Sequence, residues 1–319
     1  MTDSTEPSSA MPRAARRRKG RTNAPARVGP AQLPWGQPRY LDAPIEPLDV
    51  EGIDKIHNAA MRILEEIGID FLHDDAREIL ARAGCDVKKD SVTVRMDRAL
   101  VMEQVAKAPK RIVMTPRNPD RALVFGETYA AFGLVSSPPN VSDLDRGRRL
   151  GNRTDYQNLL KLAQSFECIH FTGGYPVEPA DLHPSIRHLD CLFDLLTLTD
   201  KLVHAYSLGV ERVEDAMAMV RIAAGLDQEA FEQAPRMFTN INSSSPLKHD
   251  WSMLDGAMRL ARHNQLVIIT PFTLAGAMAP ITLAGAIAQQ TAECLAAVTL
   301  LQLVRPGVPV AYGSFTSNV

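Results

Sequence analysis

A chain of 319 residues and 35.0 kDa is roughly twice the usual domain, which excludes a peptide-sized module and leaves room for one large core or two smaller ones. With 45% hydrophobic and 23% charged residues it is too apolar for a mainly disordered chain. The net charge of -2 excludes an overall electrostatic footprint for nucleic acid. That balance is uneven along the chain. Residues 7 to 41 hold Arg13, Arg16, Arg17, Arg18, Lys19, Arg21, Arg27 and Arg39 and no acid, and residues 42 to 319 form a mildly acidic body. Four scattered cysteines (Cys85, Cys168, Cys191, Cys294) make no C-x-x-C pair, so they read as reduced, buried thiols rather than a zinc or disulfide framework. No apolar stretch follows the basic N-terminus, so no secretory signal is read and a cytoplasmic location is expected.

Residues 1 to 47 contain eight of the 22 prolines and show no helical or strand period, the pattern of a flexible basic arm. From Asp49 onward Ile53, Ile56, Ala60, Ile63, Leu64 and Ile67 recur at three- and four-residue spacing before Gly68, which predicts an amphipathic helix with a glycine stop. A helix over 74–83 follows, then a short strand at Val92–Val94, a helix capped by Asp97 that runs to Ala106, and a strand at Ile112–Thr115. Residues 48 to 128 are thus expected to form a mixed helical and short-strand extension.

Beyond Tyr129 a period of roughly 30 to 40 residues sets in. Apolar strands are predicted near Ala131, Ile169, Leu202, Met237, Leu266 and Val308. Helices are predicted over 154–166, 185–198, 213–224, 251–263 and 283–304. The uncharged run 264–292 reads as a buried strand, a loop and a packed helix, not a membrane span. Repeated βα units imply parallel strands with right-handed crossovers. No G-x-G-x-x-G or G-x-x-x-x-G-K-[ST] follows any strand, so a barrel is preferred to a nucleotide-binding sheet. The fold class is therefore α/β, a TIM (β/α)8-type barrel of which 129–319 supplies the first six strands, incomplete at the C-terminus.

In such a barrel the loops after the strands build the site. They are mostly small and polar, densest at Thr239-Asn240-Ile241-Asn242-Ser243-Ser244-Ser245-Pro246-Leu247. Tyr175, Tyr206, Phe272, Tyr312 and Phe315 fall at or after strand ends, and a ring of aromatic faces suits a cation, above all a methylated ammonium that cannot donate hydrogen bonds. Core packing is the rival reading for each. Glu178 and Asp181 could serve as acid or base. His170, His183, His188 and His204 show no metal-ligand spacing, so no metal site is expected, and His204 reads as a satisfied core histidine.

More specific wording lies in Arg39-Tyr40, Ile53-Asp54-Lys55-Ile56-His57-Asn58-Ala59-Ala60, Ile63-Leu64-Glu65-Glu66-Ile67-Gly68, 240–247, Pro271-Phe272-Thr273-Leu274-Ala275-Gly276-Ala277, Ala279-Pro280-Ile281-Thr282-Leu283-Ala284-Gly285-Ala286, Gln289 to Glu293 and Pro309 to Ser314. In register from about residue 36 to the end, the chain resembles the trimethylamine methyltransferase family. The resemblance implies a TIM barrel that moves a methyl group from a methylated amine to the Co(I) of a corrinoid (cobalamin) on a separate partner protein, with no cofactor of its own held tightly. The methylated amine is trimethylamine or a quaternary amine such as glycine betaine. Pyrrolysine, used by archaeal members, is absent, which points to a bacterial relative. Family members continue beyond residue 319, in keeping with a fragment or an early amber codon. On this reading Tyr206, Phe272 and Tyr312 wall the ammonium, Asn240 and Asn242 fix the rest of the substrate, and Ser243, Ser244 and Ser314 form the rim facing the corrinoid. A homo-oligomer is expected, with neither nucleic acid nor membrane as partner. The rival functions are a barrel aldolase or lyase, for which Lys201 and Lys248 are the only nearby lysines, and an inactive binding or remnant protein with open strand edges.

Overall fold

Along Met237-Phe238-Thr239-Asn240-Ile241 the side chains alternate between two environments, Met237 and Ile241 packing on helices and Phe238 on the opposite face. This two-residue period, imposed by the pleat, organises the whole second half. The computed structural model describes residues 31–318, and from Pro34 onward they form one compact unit. The first thirty residues of the basic arm lie outside the described residues.

Six parallel strands follow one another in chain order: Gly133–Leu134, Phe171–Thr172, Val203–His204, Met237–Ile241, Leu266–Ile269 and Val310–Tyr312. A bridge between Phe171 and Leu202 joins the first pair to the remaining four. After the second to the fifth strand the chain passes through helix before the next, over Arg187–Leu198, Val210–Ala224, Trp251–Arg262 and Leu283–Val304. Arg153–Ser165 stands between the first and second strands. The architecture is mixed α/β, and the described residues do not form a closed barrel.

The helices start where the sequence offers caps. Asn152 and Asp155 make a reciprocal capping box, and Asp250 and Thr282 accept from Met253 and Gly285 N–H groups. The Leu283–Val304 helix is long and apolar enough to cross a membrane by composition, yet 78% of its central window is buried inside the protein. A helix apolar on all sides needs partners on all sides. It receives them from Val50–Arg62, Asp74–Arg82, Arg98–Lys107 and Trp251–Arg262.

The N-terminal residues are not a separate layer. Ile69–Phe71 pairs antiparallel with Thr93–Arg95 on one side and parallel with Lys248–His249 on the other, so a segment from the second half completes their sheet. The Arg111–Met114 and Leu123–Gly126 hairpin closes the opposite end of the parallel strands. Its Ile112, Met114 and Leu123 pack on Leu202, Phe238 and Leu266 in a second apolar cluster.

Several elements differ from the sequence expectation. Asn140–Asp143 and Gly147–Leu150 form a hairpin where the sequence reading placed no element, with a positive φ at Gly147 as the chain reverses between two short polar strands. Phe272–Ala275 and Phe315–Asn318 also pair as parallel strands where loops were read. Cys85, Cys191 and Cys294 are buried as expected, whereas Cys168 is exposed.

Because Leu123 is fully buried in that end cluster, Leu123→Ala should cost about 2–5 kcal/mol of unfolding free energy in urea titrations. A loss below about 1 kcal/mol would mean the hairpin does not close the core.

Candidate functional site

The alternation that points Phe238 away from the helices sends Asn240 and Asn242 the same way, and in the neighbouring strands it does so for His204 and Tyr206 and for Ile268 and Thr270. The strand register places His204 beside Phe238 and Asn240 beside Ile268. Apolar side chains occupy the start of this face, and polar ones the C-terminal ends. There the chain leaves an open cleft of about 530 Å³, lined among others by Ser136, His204, Tyr206, Asn240, Asn242, Met253, Thr270, Phe272, Ser314 and Phe315. No Asp, Glu, Lys or Arg is among the described residues that line it.

Each wall is held by a specific contact. The Tyr206 hydroxyl accepts from the Tyr175 N–H at 3.0 Å and bonds with the Ser136 and Ser137 hydroxyls. Its close packing requires Gly174, where φ is +151° and a Cβ would collide with the Tyr206 hydroxyl and Ser136 Oγ. Thr270 Oγ1 donates to Asn242 Oδ1 at 2.8 Å, which orients that amide and leaves its NH2 without a partner among the described residues. Asn240 is exposed to the cleft, with no side-chain partner among the described residues. Phe272 and Phe315 stack at 4.6 Å between centroids and 13° between planes. They present a double aromatic face at the cleft wall.

His204 departs from its expectation. It is 6% exposed and carries no hydrogen bond among the described residues; its Nδ1 is buried and unsatisfied between the Tyr206 and Phe238 rings. Burial pulls its pKa down to about 3, so the ring is neutral at physiological pH.

The structure thus brings together Tyr206, Asn240, Asn242, Phe272 and Ser314, and leaves out three other residues. Tyr312 shares the parity of Val310, so it turns to the helix side. There its hydroxyl meets Gln290 Nε2 at 3.1 Å and Thr291 Oγ1 at 3.0 Å. Ser243 is buried and donates to Glu293. Ser244 is exposed outside the cleft lining, with its N–H on the Lys248 carbonyl at 2.7 Å. Glu178 is paired with Arg187 and Asp181 accepts from the Arg153 N–H, so neither faces the cleft as a free acid. The four histidines are dispersed. His170 accepts from Phe132 N–H, His183 bonds Ser185 and His188 bonds Asp215. Lys201 donates to the Ala163 and Phe166 carbonyls at the end of helix Arg153–Ser165, with burial lowering its pKa to about 8. It is spent as a helix cap away from the cleft, and Lys248 sits in the sheet beside Asp70, also outside the cleft lining, so neither lysine is placed for the Schiff-base chemistry of an aldolase.

The residue the sequence reading missed is Glu293. Fully buried in the Leu283–Val304 helix, it accepts from the Ser243 hydroxyl, from Ser245 Oγ and Leu247 N–H at 2.7 Å each, and from Gln289 Nε2 at 2.9 Å. Its backbone carbonyl meets His249 Nε2 at 3.0 Å, and burial lowers the pKa of that ring. The serine-rich segment is therefore polar on both sides, its asparagines toward the cleft and its serines toward a carboxylate behind it. The available signal was a lone charge in a 22-residue helix.

The protein is thus mixed α/β with a cleft at the ends of its parallel strands, walled by aromatic rings and side-chain amides. By sequence the chain matches the trimethylamine methyltransferase family over residues 13–319, and it belongs to that family. It is similar to a glycine betaine methyltransferase of Desulfitobacterium hafniense (strain Y51), 36% identical over 267 residues that make up 84% of this chain and 55% of that protein. A trimethylamine methyltransferase of Desulfitobacterium hafniense (strain DSM 10664 / DCB-2) is 27% identical over 84% of the chain and 54% of its own length. A proline betaine:corrinoid methyltransferase of Eubacterium limosum is 27% identical over 88% and 58%. The chain spans about half the length of these relatives.

Glu293→Ala would leave two hydroxyls, a buried N–H and an amide without their acceptor, so it should lower unfolding free energy on the order of 3 kcal/mol in urea. An unchanged midpoint would show that the segment is held by something else. His204 contributes stability that is present above its unfolded pKa of about 6.5 and is lost as pH falls toward 3, since only the unfolded ring then takes up a proton. Stability should therefore decline below pH 6.5 with a slope of up to about 1.4 kcal/mol per pH unit from this group. His204→Gln should flatten that limb, and an identical pH profile in the variant would contradict the assignment.

Proposed function

We propose that this protein moves a methyl group from a quaternary amine to the Co(I) of a corrinoid carried by a separate protein, and that its amine carries a carboxylate, as glycine betaine does. The uncharged lining carries this reading. A bare cation in a cleft without an acid would lack a counter-charge, whereas a zwitterion brings its own. The stacked Phe272 and Phe315 offer π faces to methyls that cannot donate hydrogen bonds. The unpaired amides of Asn240 and Asn242 offer N–H donors to the carboxylate.

The corrinoid supplies a strongly nucleophilic electron pair. As the methyl–cobalt bond forms, the C–N bond breaks and the tertiary amine leaves neutral, so no protein acid is required. The chain's task is alignment and exclusion of water. Tyr206, fixed by three contacts, and Asn242, oriented by Thr270, provide rigid walls, while Ser314 and the exposed Phe315 stand at the mouth where the partner would approach.

The wider reading goes with this. Parallel strands in chain order separated by helices support a TIM-type barrel built from residue 129 onward, with 48–128 as its extension and the basic arm before it. The burial of the one membrane-length helix among the described residues supports a cytoplasmic enzyme. Exposed Tyr40, Leu41, Ile45 and Val50 support a homo-oligomer.

The test is transfer from glycine betaine, and from trimethylamine as comparison, to a Co(I) corrinoid protein, followed by the corrinoid absorption change. Phe272→Ala should weaken glycine betaine binding about tenfold or more, with little change in urea midpoint. A loss of stability without a loss of affinity would return Phe272 to the core. Transfer from neither amine would overturn the function.

A further inference from the structure

On the other side of Tyr206 lies a second pocket of about 180 Å³, lined by Ser137, Tyr175, Glu178, Arg187, His188 and Arg212 among others. We propose that it is a binding site for a small carboxylate with a short aliphatic tail, separate from the amine cleft.

Not every charged group in the pocket has a partner. Glu178 is paired with Arg187, whose guanidinium also donates to the Leu182 carbonyl. The Asp215 carboxylate, outside the pocket lining, bonds with His188 Nε2 at 2.8 Å. Arg212 is left over, only partly exposed and with neither hydrogen bond nor ion pair among the described residues. A guanidinium withdrawn from water without a partner is costly, and a carboxylate satisfies its planar fork with two parallel hydrogen bonds.

A further observation points the same way. The pocket is also bordered by the first turns of two helices, Arg187–Leu198 through Arg187 and His188, and Val210–Ala224 through Arg212. Neither has a side-chain N-cap, Ile186 and Gly209 occupying those positions. Uncapped helix starts of this length add positive potential.

The inner end selects the tail. A neighbouring cavity of about 30 Å³, which shares Tyr175, His188, Tyr206 and Arg212 with the pocket, is lined by Tyr156, Leu192, Leu195 and Ala216. A phosphate would leave that apolar side unused, while a short aliphatic tail would lie against it. The Tyr206 ring borders both this pocket and the cleft.

Calorimetric titration of the full chain with sodium propionate, against sodium chloride of equal ionic strength, tests this without reference to methyl transfer. Saturable one-to-one binding is expected, tighter than that of inorganic phosphate. Arg212→Gln should weaken it at least tenfold, Arg212→Lys less so, and Asn240→Ala in the cleft should leave it unchanged. No saturable binding, equal or tighter binding of phosphate, indifference to both Arg212 substitutions, or an Asn240→Ala effect as large as that of Arg212→Gln would each overturn the proposal. The lysine variant keeps the charge, so it serves should the glutamine variant fail to fold.

Discussion

The Glu293 carboxyl group, buried and without an ion pair among the described residues, is the constraint on which the strand-end architecture rests. A polar group in that position is tolerated only if hydrogen-bond partners are supplied in numbers. The chain supplies them from one neighbouring segment, through Ser243, Ser245 and Leu247, and from Gln289 one turn back. Those bonds fix the path of 243–247. The path then delivers Lys248–His249 to the edge of the Ile69–Phe71 strand and aims Asn240 and Asn242 at the cleft. One side chain thereby ties together the long central helix, the N-terminal sheet and the ligand-facing amides.

The division of labour around the site follows from the same logic. On the cleft side polarity is delivered without charge, by amides, hydroxyls and a neutral imidazole. One ring away, behind Tyr206, it is delivered by guanidinium groups and helix starts. Tyr206 can separate such different environments because its hydroxyl is pinned from three directions and Gly174 lets the backbone come close.

The elements that were legible in the sequence are those with a strong period. The helices from Val50, Asp74, Arg98, Trp251 and Leu283 and the six strands that end at Tyr312 stand where their apolar spacing put them, within a few residues. The paired strands Phe272–Ala275 and Phe315–Asn318 were not, since their residues carry Pro, Gly and Ser neighbours and their pairing is decided across more than forty positions. At the site, proximity to a strand end identified Tyr206, Asn240, Asn242, Phe272 and Ser314 as neighbours of one cleft. The facing of Tyr312 and Ser243 was not legible, because a one-residue change of parity moves a side chain through the sheet. His204 was hidden for a related reason. Its apolar strand gave no sign that its imidazole would find no partner.

A cleft whose described lining carries no formal charge adds little field of its own to the solvent outside. Arrival of a small ligand at such a mouth is governed by diffusion and orientation rather than by steering, and its grip, made of ring faces and amide dipoles at short range, is hardly screened by added electrolyte. The walls described here, from the stacked phenylalanines to the asparagine amides, would hold their guest much the same in dilute buffer and in concentrated brine.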